Sequence, residues 1–184
     1  MNTYQEKCDN LLKMLEEYTK KDVIVAFSGG VDSSLLLKLA CEQAAKNGTS
    51  VHAVTLHTRL HPLGDLQVAE DVAKETGALH SIIRIDELEE SGIQDNPVNR
   101  CYLCKKSLFK RLVDFADEKN ACHIIEGTNE DDLHEYRPGI QALKELGIIS
   151  PLAACELNKA DIRRLAKEKG ISVADRPGAP CLAT

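Results

Sequence analysis

Residues 23–37 read Val-Ile-Val-Ala-Phe-Ser-Gly-Gly-Val-Asp-Ser-Ser-Leu-Leu-Leu. A β-branched apolar run, two glycines and a leucine-rich run, in that order, predict a strand, a tight turn and a helix. The glycines remove Cβ atoms where a ligand would approach the backbone. The helix beyond them would aim unpaired N–H groups, and the positive end of its dipole, at the turn, an arrangement that suits a phosphate chain. Ser28, Gly29, Gly30, Asp32, Ser33 and Ser34 are therefore candidate nucleotide-binding residues. Asp32, in the first helical turn, is also placed to meet Mg²⁺ directly or through water. No Gly-Lys-Ser/Thr follows at P-loop spacing and no G-x-G-x-x-G occurs. A kinase or GTPase thus lacks its lysine, and a dinucleotide fold its glycines. The plain alternative is an ordinary glycine turn.

The surrounding chain supplies the rest of a sheet. Its 184 residues, 43% hydrophobic and 28% charged, carry enough apolar material for one sizeable core. Residues 3–19 place Cys8, Leu11, Leu12, Leu15 and Tyr18 at helical spacing. Strands are predicted at 22–27, 51–56 and 79–85, at the stretch opening on Cys122, and at 148–152. Helices are predicted up to Asn47-Gly48, over 64–76 to Gly77, from Cys101 through Phe109, Leu112 and Phe115, after Arg137-Pro138-Gly139, and from Asn158 to Gly170. This alternation predicts a three-layer α/β/α, Rossmann-like fold with a mainly parallel five-stranded sheet. Residues 1–20 form the N-terminal helix of that reading, 21–172 the main domain and 173–184 the start of a further segment. The N-terminus has no signal-like apolar stretch and no segment matches a membrane span, so a cytoplasmic location is expected. The formal charge of −6 gives no general footprint for nucleic acid.

Ligands of parallel sheets bind beyond the carboxyl ends of the strands. That rule brings Gly127, Thr128 and Asn129, after the fourth strand, beside the first loop, with Asp131 or Asp132 as either Mg²⁺ ligands or solvated acids. It also brings the loop from His57 to His61 to the same edge, where both histidines read as solvated. Seven cysteines in such a chain read as thiols, ligands or nucleophiles, not as a disulfide framework. Cys101 and Cys104 form a C-x-x-C pair at a helix start, flanked by Arg100, Lys105 and Lys106, a setting that favours thiolates. Neither a thioredoxin context nor a second zinc-binding pair accompanies them. Cys181 lies in a loop-like tail, Asp175 to Thr184. Cys8, Cys41 and Cys155 fit core or helix-face positions and Cys122 the start of a buried strand, so no role falls to them.

Ser-Gly-Gly-Val-Asp-Ser-Ser (28–34) resembles the pyrophosphate loop of the ATP pyrophosphatases, the group of GMP synthetase, NAD synthetase and the tRNA thiolation enzymes. The resemblance implies an adenine nucleotide alpha hydrolase-like fold. It also implies that the loop holds the β and γ phosphates as a leaving pyrophosphate, while adenine sits after the second strand. Asn-Pro-Val-Asn-Arg-Cys-Tyr-Leu-Cys-Lys (96–105), Gly-Thr-Asn-Glu-Asp-Asp with Arg-Pro-Gly (127–139) and Cys-Leu-Ala-Thr (181–184) narrow the likeness. Together they resemble the LarE family of ATP-dependent sacrificial sulfur transferases. That family adenylates a carboxylate of pyridinium-3,5-biscarboxylate mononucleotide with Mg·ATP and replaces AMP by sulfur, on the route to the nickel-pincer cofactor.

The family's sulfur comes either from the tail cysteine itself or from a 4Fe-4S cluster on three cysteines, here Cys101, Cys104 and Cys181, the version favoured. Its members normally continue into a smaller sulfur-transfer domain. A small-molecule carboxylate, a sulfide donor, neighbouring pathway enzymes and further copies of the chain are the implied partners, with nucleic acid and membrane outside the expectation. A tRNA thiolation enzyme, an ammonia-dependent amidating synthetase and a non-catalytic ATP-binding module are the rivals. The acidic balance speaks against the first, and the second leaves the cysteines unexplained.

Overall fold

The structure, a computed structural model, describes residues 2–58, 64–95 and 97–178, without the side chains of residues 87 and 88. The chain opens on α1 (Tyr4–Tyr18), which starts where Thr3 and Glu6 close a reciprocal capping box and which buries Cys8, Leu11 and Leu15. Next come β1 (Val23–Ala26), α2 (Val31–Asn47), β2 (Val51–His57), α3 (Asp65–Thr76) and β3 (Leu79–Arg84). They are followed by α4 (Glu87–Glu90), α5 (Arg100–Lys119), β4 (His123–Ile125), α6 (Glu130–Leu133), α7 (Gly139–Glu145), α8 (Pro151–Ala154) and α9 (Lys159–Glu168). Gly48 and Gly77, both left-handed, end α2 and α3 as the glycine positions predict. Asn158 caps α9 in a capping box with Asp161.

The four strands pair in the order β3-β2-β1-β4, every pairing parallel. The period-2 alternation of β1 feeds two cores. Val23 and Val25 join the cluster of Leu11, Leu15, Leu36, Val72, Ile162 and their neighbours, and Ile24 joins Phe109, Leu112, Leu143 and Ile148. One face is thus covered by α1, α2, α3 and α9, and the other by α5 and α7. This is the expected three-layer α/β/α arrangement with a parallel sheet. Among the described residues, no helix is long and apolar enough to cross a membrane.

Two expectations are corrected. The fifth strand is reduced to a single parallel bridge between Ile125 and Ile149. Ile149 bonds to the residues on either side of Ile125 (Ile149 N–H to Ile124 O, 3.0 Å; Glu126 N–H to Ile149 O, 2.9 Å). Pro151, two residues on, has no N–H to extend a ladder and instead opens α8. Cys122 does not begin a buried strand. It is exposed, one residue before β4, and its N–H reaches the carbonyl of Asp22 at 3.2 Å.

The turn after β4 presses on the start of α2. A Cβ built on Gly127 would stand 3.0 Å from Ser33 N and 3.2 Å from Asp32 Cβ. Because backbone cannot yield cheaply, Gly127→Ala is expected to cost about 1–3 kcal/mol. Urea unfolding would read this as a lower midpoint at unchanged slope.

Candidate functional site

The turn between β1 and α2 lies at the carboxyl edge of the sheet, as the sequence order requires. Gly29 takes φ = 76°, and a Cβ there would stand 2.9 Å from Ala69 N of α3, so only glycine serves both the backbone and the packing. Gly30 is the N-cap of α2, with no side chain to satisfy the helix's first N–H groups. The serines organise the turn's interior. Ser33 Oγ donates to Gly30 O (3.2 Å) and accepts from Ser28 N–H (3.3 Å), and the two hydroxyls lie 3.1 Å apart. Gly30 N–H reaches Ser28 Oγ at 3.3 Å. Ser34 is fully buried, its hydroxyl without a hydrogen-bond partner among the described residues. The result is a cradle of N–H and hydroxyl groups at the positive end of a 17-residue helix.

Asp32 is the charged centre of this edge. Its carboxylate forms an ion pair with Lys159, the first residue of α9, and accepts from the Asn129 side-chain amide at 3.4 Å. Asn129 in turn caps α6 in a box with Asp132, whose carboxylate holds Arg137 at 2.9 Å. Asp131 is turned away toward α9, where its carboxylate caps the Lys159 N–H at 2.8 Å. The turn of Gly127 to Asn129 is fixed from beneath by Glu126, a buried carboxylate that accepts from Thr128 N–H (3.0 Å), Thr128 Oγ1 (2.8 Å) and Ser150 Oγ (2.5 Å). The structure thus brings together Ser28 to Ser34 with Asn129, and adds Lys159 and Glu126, which reading the sequence missed. Lys159 directly follows the N-cap Asn158, but nothing near it in the sequence names Asp32 as its partner.

The helix α5 connects β3 to β4, so in a parallel sheet its N-terminus lies at this same edge. Cys101 is exposed and Cys104 half-buried, one turn apart on its first turns. The basic flank divides. Lys106 is committed to Glu145 and Tyr102, both at 2.7 Å, and its bond, with that of Tyr102, holds the Glu145 carboxyl down to about 2. Lys105 lies over the Phe109 ring, against Gly139. Cys181 lies outside the described residues, as do residues 59–61 of the loop expected beside adenine. The start of that loop lines a cleft of about 330 Å³ with His57, Thr58, Arg84, Ile85 and Asp86. Among the described residues no three His, Cys, Asp or Glu side chains converge as a metal group.

Residues 2–137 match the PP-loop domain family, and the chain belongs to that family. It is 33% identical over 172 residues to the pyridinium-3,5-bisthiocarboxylic acid mononucleotide synthase of Lactiplantibacillus plantarum, covering 94% of this chain and 61% of that protein. The chain spans less than two thirds of the length of the curated relatives it matches first, 65% and 61%. The NH3-dependent NAD synthetase of Campylobacter jejuni shares the fold (TM-score 0.69, 19% identity, 96% of this chain and 78% of that one). So does the U34-tRNA thiolase NcsA of Methanococcus maripaludis, solved with its 4Fe-4S cluster (TM-score 0.67, 17% identity, 96% and 68%).

Burial separates the thiols. It pushes Cys41 up to about 11 and raises Cys8 and Cys155 as well. Alkylation of the native protein by iodoacetamide at pH 7.5, followed by peptide mass mapping, is therefore expected to label Cys101 and Cys122 well before Cys8, Cys41 and Cys155. Equal rates at all five would contradict the described packing.

Proposed function

We propose that this chain is the nucleotide-activating part of an ATP-dependent sulfur transferase. It adenylates a substrate carboxylate, releases pyrophosphate and exchanges AMP for sulfur. The observation that carries this reading is the pairing of two features on one sheet edge: the anion cradle of Ser28 to Ser34 and the Cys101/Cys104 pair at the start of α5. The 33% identity to the bisthiocarboxylic acid mononucleotide synthase supports pyridinium-3,5-biscarboxylate mononucleotide as the carboxylate. The relatives are longer than this chain, which covers 65% and 61% of the first two.

In this mechanism the free N–H groups of the α2 start, with Ser28 and Ser33, hold the β and γ phosphates, while buried Ser34 backs the turn. Asp32 fits Mg²⁺: its carboxylate is one-fifth exposed and has a cation already beside it. Lys159, released from Asp32, is then free to meet the phosphate chain, while Thr128 and Asn129 keep the neighbouring turn in place. A substrate carboxylate oxygen bonds to the α phosphorus and the α–β bridging P–O bond breaks, with the electron pair leaving on pyrophosphate held by the loop. A sulfur nucleophile then attacks the acyl carbon and AMP departs with the C–O electron pair.

Cys101 and Cys104 fit a 4Fe-4S cluster as two thiols one turn apart on one helix, with Cys181 as third ligand. Such a cluster, when bound, would supply an iron with an open position for sulfide.

The test is anaerobic incubation with Mg·ATP, the biscarboxylate mononucleotide and sulfide, following pyrophosphate, AMP and thiocarboxylate mass. Carboxylate-dependent pyrophosphate release is expected, reduced about 10²-fold by Asp32→Asn. Cys101→Ser and Cys104→Ser should keep that release while losing bound iron and the thiocarboxylate. Pyrophosphate release that ignores the carboxylate but depends on tRNA would overturn the reading in favour of a thiolation enzyme.

A further inference from the structure

We infer that Arg176 is a positioning residue that locks the Gly29–Gly30 peptide in its anion-binding orientation. The segment that presents it is itself anchored. Ile171, Val173 and Ala174 are buried in the larger core, and the Arg163 guanidinium from α9 grips the carbonyls of Ala174 (2.9 Å) and Arg176 (3.0 Å). Arg176 then forks. One nitrogen donates to the Asp65 carboxylate at 2.6 Å and the other to the Gly29 carbonyl at 3.4 Å. Asp65 and Ala69 lie four apart on one face of α3, and Ala69 is the residue whose backbone backs Gly29. Arg176 therefore closes a triangle of tail segment, α3 and cradle.

The consequence follows from peptide geometry. Across a trans peptide the C=O of Gly29 and the N–H of Gly30 point in opposite directions. Glycines on either side of the bond leave that plane free to rotate unless something holds it. A guanidinium on the Gly29 oxygen fixes the Gly30 N–H toward the cradle's interior, where it meets Ser28 Oγ at 3.3 Å. Asp65, only one-fifth exposed, keeps the guanidinium in place, and the planar fork of arginine serves both acceptors at once as a lysine ammonium cannot. The inference rests on the reading of the cradle as a pyrophosphate site.

Calorimetric titration of Mg²⁺-pyrophosphate and, separately, adenosine tests it. Arg176→Ala should weaken pyrophosphate about tenfold while leaving adenosine within about twofold, and Arg176→Lys should not restore it. Asp65→Asn, which loosens the anchor and keeps Arg176, should give a smaller loss of the same kind. It also preserves the test should Arg176→Ala fail to fold. Unchanged pyrophosphate affinity in both variants overturns the role of Arg176 alone, as does a parallel loss of adenosine. Failure of the unaltered protein to bind pyrophosphate takes the proposed function down with it.

Discussion

Asp32 places a carboxylate in the first turn of α2, where the helix dipole and free N–H groups would draw a phosphate chain. That negative charge opposes an anion unless a cation stands beside it. In this chain the cation is Lys159, brought from the start of α9. The ion pair is partly exposed, so its net worth to stability is small. What it does is neutralise the Asp32 carboxylate at the mouth of the cradle, and in the proposed function a metal-bound nucleotide would take that carboxylate over. The other contacts at this edge exist to hold that pair in register: Asn129 on Asp32, Glu126 beneath Thr128, and Asp131 on the N–H of Lys159 itself.

Close backbone approach is the second condition. Gly29 lets α3 back the cradle and Gly127 lets the β4 turn abut the α2 start, and at both positions a Cβ would collide with backbone. With Arg176 tying α3 to Gly29, the cradle is held by three elements outside the loop in addition to the loop's own Ser28 and Ser33 bonds. A seven-residue motif can state which atoms line the cradle. The distant elements keep those atoms there.

This division explains what the sequence could reveal. The strand-turn-helix of residues 23–47, the caps at Gly48, Gly77 and Asn158 and the three layers were readable because each depends on residues a few positions apart. The fifth strand was over-read: the apolar pair Ile148-Ile149 looks like a strand, but Pro151 ends the ladder after one bridge. Cys122 adjoins an apolar run and so reads as buried, although the strand begins one residue later. Lys159 and Arg176 were missed for a different reason. Their partners Asp32 and Asp65 are 127 and 111 residues away, and no local pattern encodes such a pairing.

The most direct measurement is a crystal structure of the chain with Mg²⁺ and α,β-methylene-ATP. The expected result is the β and γ phosphates on the N–H groups at the start of α2, with Mg²⁺ on Asp32 and Lys159 moved from the carboxylate to the phosphates. Phosphates bound elsewhere on the sheet edge, with the Asp32–Lys159 pair intact, would contradict it.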